Sequence, residues 1–251
     1  MDIPISDKLD LFIYDNSPDR QEIANLGKLT VAAYVHDPQN SGISKAYNEC
    51  AKLAADLGKK WLIFLDQDSC LTESLFIDYS EAIENHSEIM FFCPILKSSG
   101  FIVSPSIFKN RMGSSPSYLT AGMHSFKKLS PINSGICIEI NLFFKAGGYD
   151  EKVPLDYSDY AFIYRVKQIV EYFFLLDNIC EHGLSSYEEQ VITSALSRFR
   201  YLCIGLVNSS TTLTDKIFSL YVAGKRGAKL SFKFKNAEFL KILYAEFYSK
   251  L

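Results

Sequence analysis

Apolar residues follow two rhythms along this chain. Short unbroken runs, each ending in a cluster of turn formers, alternate with stretches where apolar side chains return every three or four residues. Leu11-Phe12-Ile13-Tyr14 runs into Asp15-Asn16-Ser17-Pro18-Asp19, which predicts a buried strand opening into a loop. Residues 29–35 repeat the pattern and close on Asp37-Pro38. Ile43, Ala46, Tyr47, Cys50, Leu53, Ala54 and Leu57 then recur at helical spacing, with Ser41 or Ser44 available as cap and Gly58 as terminator. Trp61 to Leu65 is again a continuous apolar run, as burial of both faces in a parallel sheet produces.

The second half is read the same way. Residues 89–93 and 136–140 are predicted strands, and residues 141–146 a helix stopped by Gly147-Gly148. After Pro154, residues 156–170 read as helix and residues 172–176 as strand. Helices are expected over 185–207, 215–223 and 237–247, the last of them amphipathic. Residues 97–131, rich in Ser, Pro and Gly, form the least regular stretch and suggest an acceptor-side loop. The expected architecture is an α/β domain over 1–207, with a mixed, mostly parallel sheet flanked by helices, followed by a helical extension over 208–251. In such sheets ligands sit at the carboxyl ends of strands, where Asp15 and Asp66 fall.

Composition narrows the class. With 251 residues, 48% of them hydrophobic and 14% aromatic, the chain can bury a sizeable core, which excludes a disordered protein. Six cysteines are dispersed without a CxxC pair, mostly in apolar runs such as Phe92-Cys93-Pro94. That is the pattern of reduced, buried thiols and gives the expectation of a cytoplasmic protein. Every long apolar stretch is broken by charge too early to span a bilayer. The net charge of −3 is unevenly spread: from Lys216 onward there are eight Lys/Arg against two Glu, on an otherwise acidic chain. A basic, aromatic-rich end points to an anionic membrane surface before nucleic acid, unless these residues form a solvated helical face.

The candidate chemistry lies in Leu65-Asp66-Gln67-Asp68-Ser69. Two carboxylates at i and i+2, just past a buried strand, can turn toward one divalent cation, and hard oxygen ligands suit Mg²⁺ or Mn²⁺. Aspartates also crowd loops for reasons of turn geometry alone.

Several segments in order make the pattern more specific. Asn40-Ser-Gly-Ile-Ser-Lys-Ala-Tyr-Asn48 and Trp61-Leu-Ile-Phe-Leu-Asp-Gln-Asp-Ser69 are followed by Ile132-Asn-Ser-Gly135, Ala146-Gly-Gly-Tyr-Asp-Glu151, and Asp156-Tyr-Ser-Asp159 with Arg165 beyond it. From Leu11 to about residue 200 the chain resembles inverting family 2 glycosyltransferases of the GT-A (Rossmann-like) fold. Asp-Gln-Asp-Ser after Trp-Leu is similar to the rhamnosyltransferase-like members. The resemblance implies a nucleotide-diphosphate sugar donor, a saccharide or lipid-diphosphate-linked acceptor in surface polysaccharide synthesis, and a metal cofactor, Mg²⁺ or Mn²⁺. By position, Asp15 matches a contact to the nucleotide base, and Gly42 and Asn48 the segment closing over the nucleoside. Asp66 and Asp68 match the acidic motif, Asp159 the catalytic base, and His182 a histidine that meets the metal or diphosphate. The first strand of the family has no counterpart before Leu11.

Each assignment has a plainer rival. Asp15 and Asn16 are good turn residues, Asp159 complements a helix dipole, and His182 reads as a loop histidine. A haloacid-dehalogenase-type phosphatase also places Asp-x-Asp after an apolar strand, but the motif there usually opens the domain. A nucleotidyltransferase would carry a glycine-rich basic loop, which is missing. The remaining alternative is a truncated, catalytically impaired domain that binds or assembles with a partner.

Overall fold

The computed structural model describes residues 9–22, 30–72, 74–183 and 191–248. The expectation about the start of the chain, and the first residues of the helix expected from 185, lie outside them. The first half runs β1 (Asp10–Asp15), β2 (Thr30–His36), α1 (Ile43–Asp56), β3 (Trp61–Ile63), β4 (Ser69–Cys70), α2 (Leu75–Asn85) and β5 (Phe91–Ser98). Four short strands follow: β6 (Phe101–Ser104), β7 (Ile107–Lys109), β8 (Met112–Ser114) and β9 (Gly122–Ser125). The rest is β10 (Cys137–Glu139), α3 (Ile140–Lys145), α4 (Ser158–Val166), β11 (Tyr172–His182), α5 (Ile192–Asn208), α6 (Leu213–Phe234) and α7 (Glu238–Tyr248).

Seven strands form the main sheet, in the order β3-β10-β5-β11-β4, with β6 on β5 and β9 on β11. β5 and β11 are parallel, and β10 runs antiparallel to both β3 and β5, so β3, β5 and β11 share one direction. β1 and β2 make a separate parallel pair. The sheet is buried on both faces, and strand alternation divides its side chains between two cores. Phe91, Cys93 and Ile95 of β5 and Phe173 and Leu175 of β11 meet α1, α3 and α4. Phe92, Leu96, Cys137, Leu176 and Cys180 meet Leu75, Tyr79 and Ala82 of α2 on the other face.

Three expectations need correction. Residues 97–131 are not irregular: β6 folds back on β5, β7 and β8 form a hairpin, and β9 adds to β11. Both tight turns, Ser99-Gly100 and Asn110-Arg111, have positive φ at both residues, the geometry that matches the twist of a two-residue hairpin. Neither Ser41 nor Ser44 caps α1; the cap position is Gly42, without a side-chain cap. Its φ is +98°, and a Cβ there would lie 2.5 Å from the Pro154 carbonyl oxygen, so only glycine fits. Ser44 instead donates its hydroxyl to the Val153 carbonyl, 2.5 Å away. Finally, α6 does not stop at Ala223 but continues to Phe234, because Ser219, Ala223, Gly227 and Leu230 repeat a buried face at helical spacing.

A third core joins Ala195, Phe199, Cys203 and Leu206 of α5 to Ala223 and Leu230 of α6 and to Phe239 and Phe247 of α7. The expected division at residue 208 therefore runs between two helices that share this core. The bundle docks on the main domain through α5. A Cβ on Gly205 would lie 2.1 Å from the Asp156 carbonyl oxygen, and Arg198 pairs with Asp156 at 3.3 Å. Gly→Ala inside a helix ordinarily stabilises by about 1 kcal/mol. Here the sign reverses: Gly205→Ala is expected to cost about 2 kcal/mol through overpacking against backbone. A thermal melt should show the midpoint falling by roughly 5 °C; a rise would mean the α5 contact is looser than described.

Candidate functional site

The site assembles where β3, α4 and β11 deliver side chains to one end of the sheet. Beyond β3, the Phe64 amide donates to the Ile136 carbonyl and the Gly135 amide to the Phe64 carbonyl, which carries the chain straight into the acidic segment. There it turns: the Ser69 amide donates to the Asp66 carbonyl at 3.2 Å, and the Gly183 amide to the Asp68 carbonyl at 2.7 Å. β4 then pairs with the end of β11, setting Ser69 opposite His182.

This turn sends the two carboxylates to different partners. Asp66 accepts a hydrogen bond from the Tyr47 hydroxyl, which α1 carries into the core. Burial raises the Asp66 carboxyl above its ordinary range, partly offset by Tyr47 and reinforced by the charge of Asp68. Asp68 lies beside His182, with Oδ1 3.5 Å from Nδ1. The same Nδ1 is 2.7 Å from the Ser69 hydroxyl, which in turn is 2.6 Å from the hydroxyl of Ser134. His182 is buried, and a chain of small polar side chains fixes its ring. Asp68 and His182 thus bring a carboxylate and an imidazole side by side; with Nδ1 engaged by Ser69, Nε2 is the ring nitrogen left for a cation, and one oxygen with one nitrogen donor suits Mn²⁺ or Mg²⁺ if substrate oxygens complete the shell. Among the described residues no group of three or more His, Cys, Asp and Glu gathers to hold a metal by itself.

Asp159 opens α4. The preceding Tyr157 sits in the left-handed region at φ 72°, an uncommon conformation for a bulky residue that swings the chain into the helix. The Tyr160 amide donates to Asp159 Oδ1 at 2.7 Å, yet burial dominates and pushes the carboxyl up to about 7, with Asp156 and Asp66 adding repulsion. The charges of Asp159 and Asp66 also bear on Tyr149, whose ring lies 5.0 Å from that of Tyr47. Its hydroxyl donates to Asn133 Oδ1 at 2.7 Å. Tyr47 and Tyr149 therefore lie side by side in the core, Tyr47 bonded to Asp66 and Tyr149 within electrostatic reach of both carboxylates.

The other predicted residues do structural work. Asp15 is buried at the end of β1, where Oδ1 accepts from the Ser17 amide, and Oδ2 from the Gln21 amide and the Tyr34 hydroxyl. Tyr34, then Gln21 and Ser17, hold its carboxyl well below the usual carboxylate range. In this structure it organises its own loop. Gly42 lies against Pro154. Asn48 staples α1 to the loop after α3: its carboxamide donates to the Tyr149 carbonyl at 2.9 Å and accepts from the Tyr149 amide at 2.8 Å. Arg165 is consumed by backbone carbonyls of Ala146, Gly148 and Ala161. Tyr47, Ser69, Ser134 and Tyr149 had no assigned role in the sequence. A tyrosine at a core position of an amphipathic helix, needing a partner for its hydroxyl, is the signal that would have found Tyr47.

No protein-family model matches the sequence, and no curated protein matches it either. Solved structures do. A Staphylococcus aureus TarS 1-349 structure in complex with UDP is 15% identical, with a TM-score of 0.52, over 96% of this chain and 64% of that one. Another TarS 1-349 structure matches at 15% identity and a TM-score of 0.46, over 87% of this chain and 56% of that one. A structure of GalNAc-T7 with UDP, GalNAc and Mn²⁺ matches at 12% identity and a TM-score of 0.49, over 69% and 37%. The chain thus spans between 37% and 64% of the length of these structures. At such identities the likeness speaks for architecture, and the architecture is a GT-A-type glycosyltransferase fold.

Proposed function

We propose that this protein is an inverting glycosyltransferase that moves a sugar from a nucleoside-diphosphate donor to a hydroxyl acceptor. The observation that carries this reading is Asp159, a carboxylate held in the first turn of α4, raised to about 7 by burial and within electrostatic reach of Asp66. In a fold of this type, that is the equipment of a general base working near neutral pH. Asp159 takes the proton of the acceptor hydroxyl as its oxygen attacks the anomeric carbon, and the bond to the diphosphate breaks on the opposite face. Asp68 and His182 would hold a divalent cation, which when bound neutralises the departing diphosphate. Ser69 and Ser134 keep the imidazole oriented, as outer partners of a metal-binding histidine commonly do. Asp66, tied to Tyr47, shapes the floor of the donor site. With one base and, among the described residues, no second carboxylate placed as a covalent nucleophile, the proposed transfer inverts the anomeric configuration. The fold is not that of a haloacid-dehalogenase-type phosphatase, and Asp66 is not presented as a nucleophile.

The acidic segment after Trp61-Leu62 makes dTDP-rhamnose the first donor to try, and a lipid-diphosphate-linked saccharide at the cytoplasmic face of a membrane the first acceptor. A screen of sugar nucleotides with Mg²⁺ or Mn²⁺, reading nucleoside diphosphate release, tests the reading. Metal-stimulated hydrolysis of at least one donor is the expected result. Donor binding without release, with any acceptor, would leave a binding module in place of an enzyme.

A further inference from the structure

Helix α6 has two apolar faces, and only one is packed. Its inner face, with Ser219, Ala223 and Leu230 buried, joins α5 and α7. On the adjoining side Leu213, Ile217, Leu220, Tyr221 and Phe232 are all exposed, Phe232 at 88% and Leu213 at 74%. At 100° per residue these five fall within one arc of roughly 120°. Gly224 and Ala228 complete the arc, and a Cβ built on Gly224 meets nothing within 4 Å. An apolar stripe, with the small residues Gly224 and Ala228 and the polar Ser231 between its two ends, therefore runs for the length of a helix of 22 residues, or about 33 Å. Such stripes on soluble proteins mark a partner.

The charges around the stripe identify the partner. Lys225 and Lys229 border it on one side and Lys216 on the other, and residues 216–235 contain six Lys/Arg and no acidic residue. We propose that this face of α6 docks on an anionic phospholipid bilayer, lying in the interface with its apolar stripe down and its lysines at the headgroup phosphates. A second copy of the chain fits less well, because two such helices face to face would set lysine against lysine with no carboxylate to pair them. No helix among the described residues is long and apolar enough to cross a membrane, so the contact is peripheral. It is also rigidly tied to the rest of the protein. Through α5 the bundle abuts Asp156 at Gly205 and Arg198, three residues from Asp159, and Arg111 bridges from the β7–β8 turn to the Leu206 and Ser209 carbonyls. Docking α6 would fix the candidate site relative to the membrane plane. The inference stands without the sugar-transfer reading, since it uses only the helix surface.

Sedimentation of the full chain with vesicles tests it. Vesicles containing roughly a third phosphatidylglycerol should bind the protein, those of phosphatidylcholine alone should bind at least about tenfold less, and about 0.5 M NaCl should release it. Two surface variants, Ile217→Ser with Phe232→Ser, and Lys225→Glu with Lys229→Glu, should each lower binding at least about tenfold while leaving the thermal midpoint unchanged. Equal binding to both vesicle types, or full binding by either variant, overturns the proposal. So does a concentration-dependent dimer in sedimentation velocity that Phe232→Ser abolishes, because a second copy would then be the occupant.

Discussion

Asp159→Asn is expected to lower turnover by about 10³-fold while donor affinity stays within roughly a factor of three. The substitution keeps an oxygen for the Tyr160 amide, which donates to Asp159 Oδ1 at 2.7 Å, so the first turn of α4 survives and only the proton acceptor is lost. The pH profile carries independent information. Burial pushes the carboxyl up to about 7, and a base works deprotonated, so kcat/KM of the wild type should climb with pH and level off above that value. The variant's residual rate should lose this limb. Stability should move the other way. A carboxyl whose folded value lies above its unfolded value of about 4 favours the folded state while protonated, and that contribution is lost as pH rises through about 7. Asparagine removes the loss. At pH 8 the variant should therefore be more stable than the wild type, by about 2 kcal/mol after allowing for the solvent that reaches this half-buried side chain. Gain in stability with loss of turnover is the signature of a group held in an unfavourable state for its chemistry. A variant with wild-type turnover would reduce Asp159 to a helix-dipole carboxylate. The neighbouring Asp156 is a poorer substitute, because it is paired with Arg198 at 3.3 Å.

The parts of this fold legible in the sequence were those whose signal is local and repeated. α1 announces itself by seven apolar positions at helical spacing, β1 and β2 by short apolar runs ending in turn formers, and β10 by a short apolar run that leads straight into α3. α2 was missed: its buried Leu75, Tyr79 and Ala82 are only three contacts in 11 residues, with charged neighbours between them. β11 was expected to end at Leu176, where Asp177-Asn178 interrupts the run. It continues to His182 because a bulge between Leu175 and Ile179 absorbs the interruption, and because the buried Asn178 finds partners in Thr72 and Ser74. That extension is what brings His182 to the site. No local pattern reports it, since the pairing of Ser69 with His182 joins residues 113 positions apart. The acidic segment was visible as two aspartates, but their division of partners was not. It depends on Tyr47 from one helix and on the end of a strand much later in the chain. Spacing alone treated Asp66 and Asp68 as equivalents. Their surroundings make them different groups.

That difference yields the second large effect. Asp68→Ala is expected to abolish the cation-dependent part of nucleoside-diphosphate binding, a loss of roughly 100-fold or more in affinity in Mn²⁺ or Mg²⁺. The fold should survive. The Asp68 side chain is 35% exposed, and the contact that pins its loop, from the Gly183 amide at 2.7 Å, uses the Asp68 backbone carbonyl. His182→Ala should reproduce most of the loss, and the double variant should cost little more than either alone, because two groups on one ion are not additive. Asp66→Asn should behave otherwise. Its carboxylate is committed to the Tyr47 hydroxyl in a buried setting, so the amide should retain cation-dependent binding. Titration calorimetry with UDP and dTDP, with cation and with EDTA, separates these cases. If Asp68 holds the cation, the Asp68→Ala affinity in Mn²⁺ falls to the wild-type value in EDTA. Unchanged cation dependence in that variant, or its loss in Asp66→Asn alone, would move the cation to the other aspartate and leave Asp68 and His182 as a pair that merely ties β4 to β11.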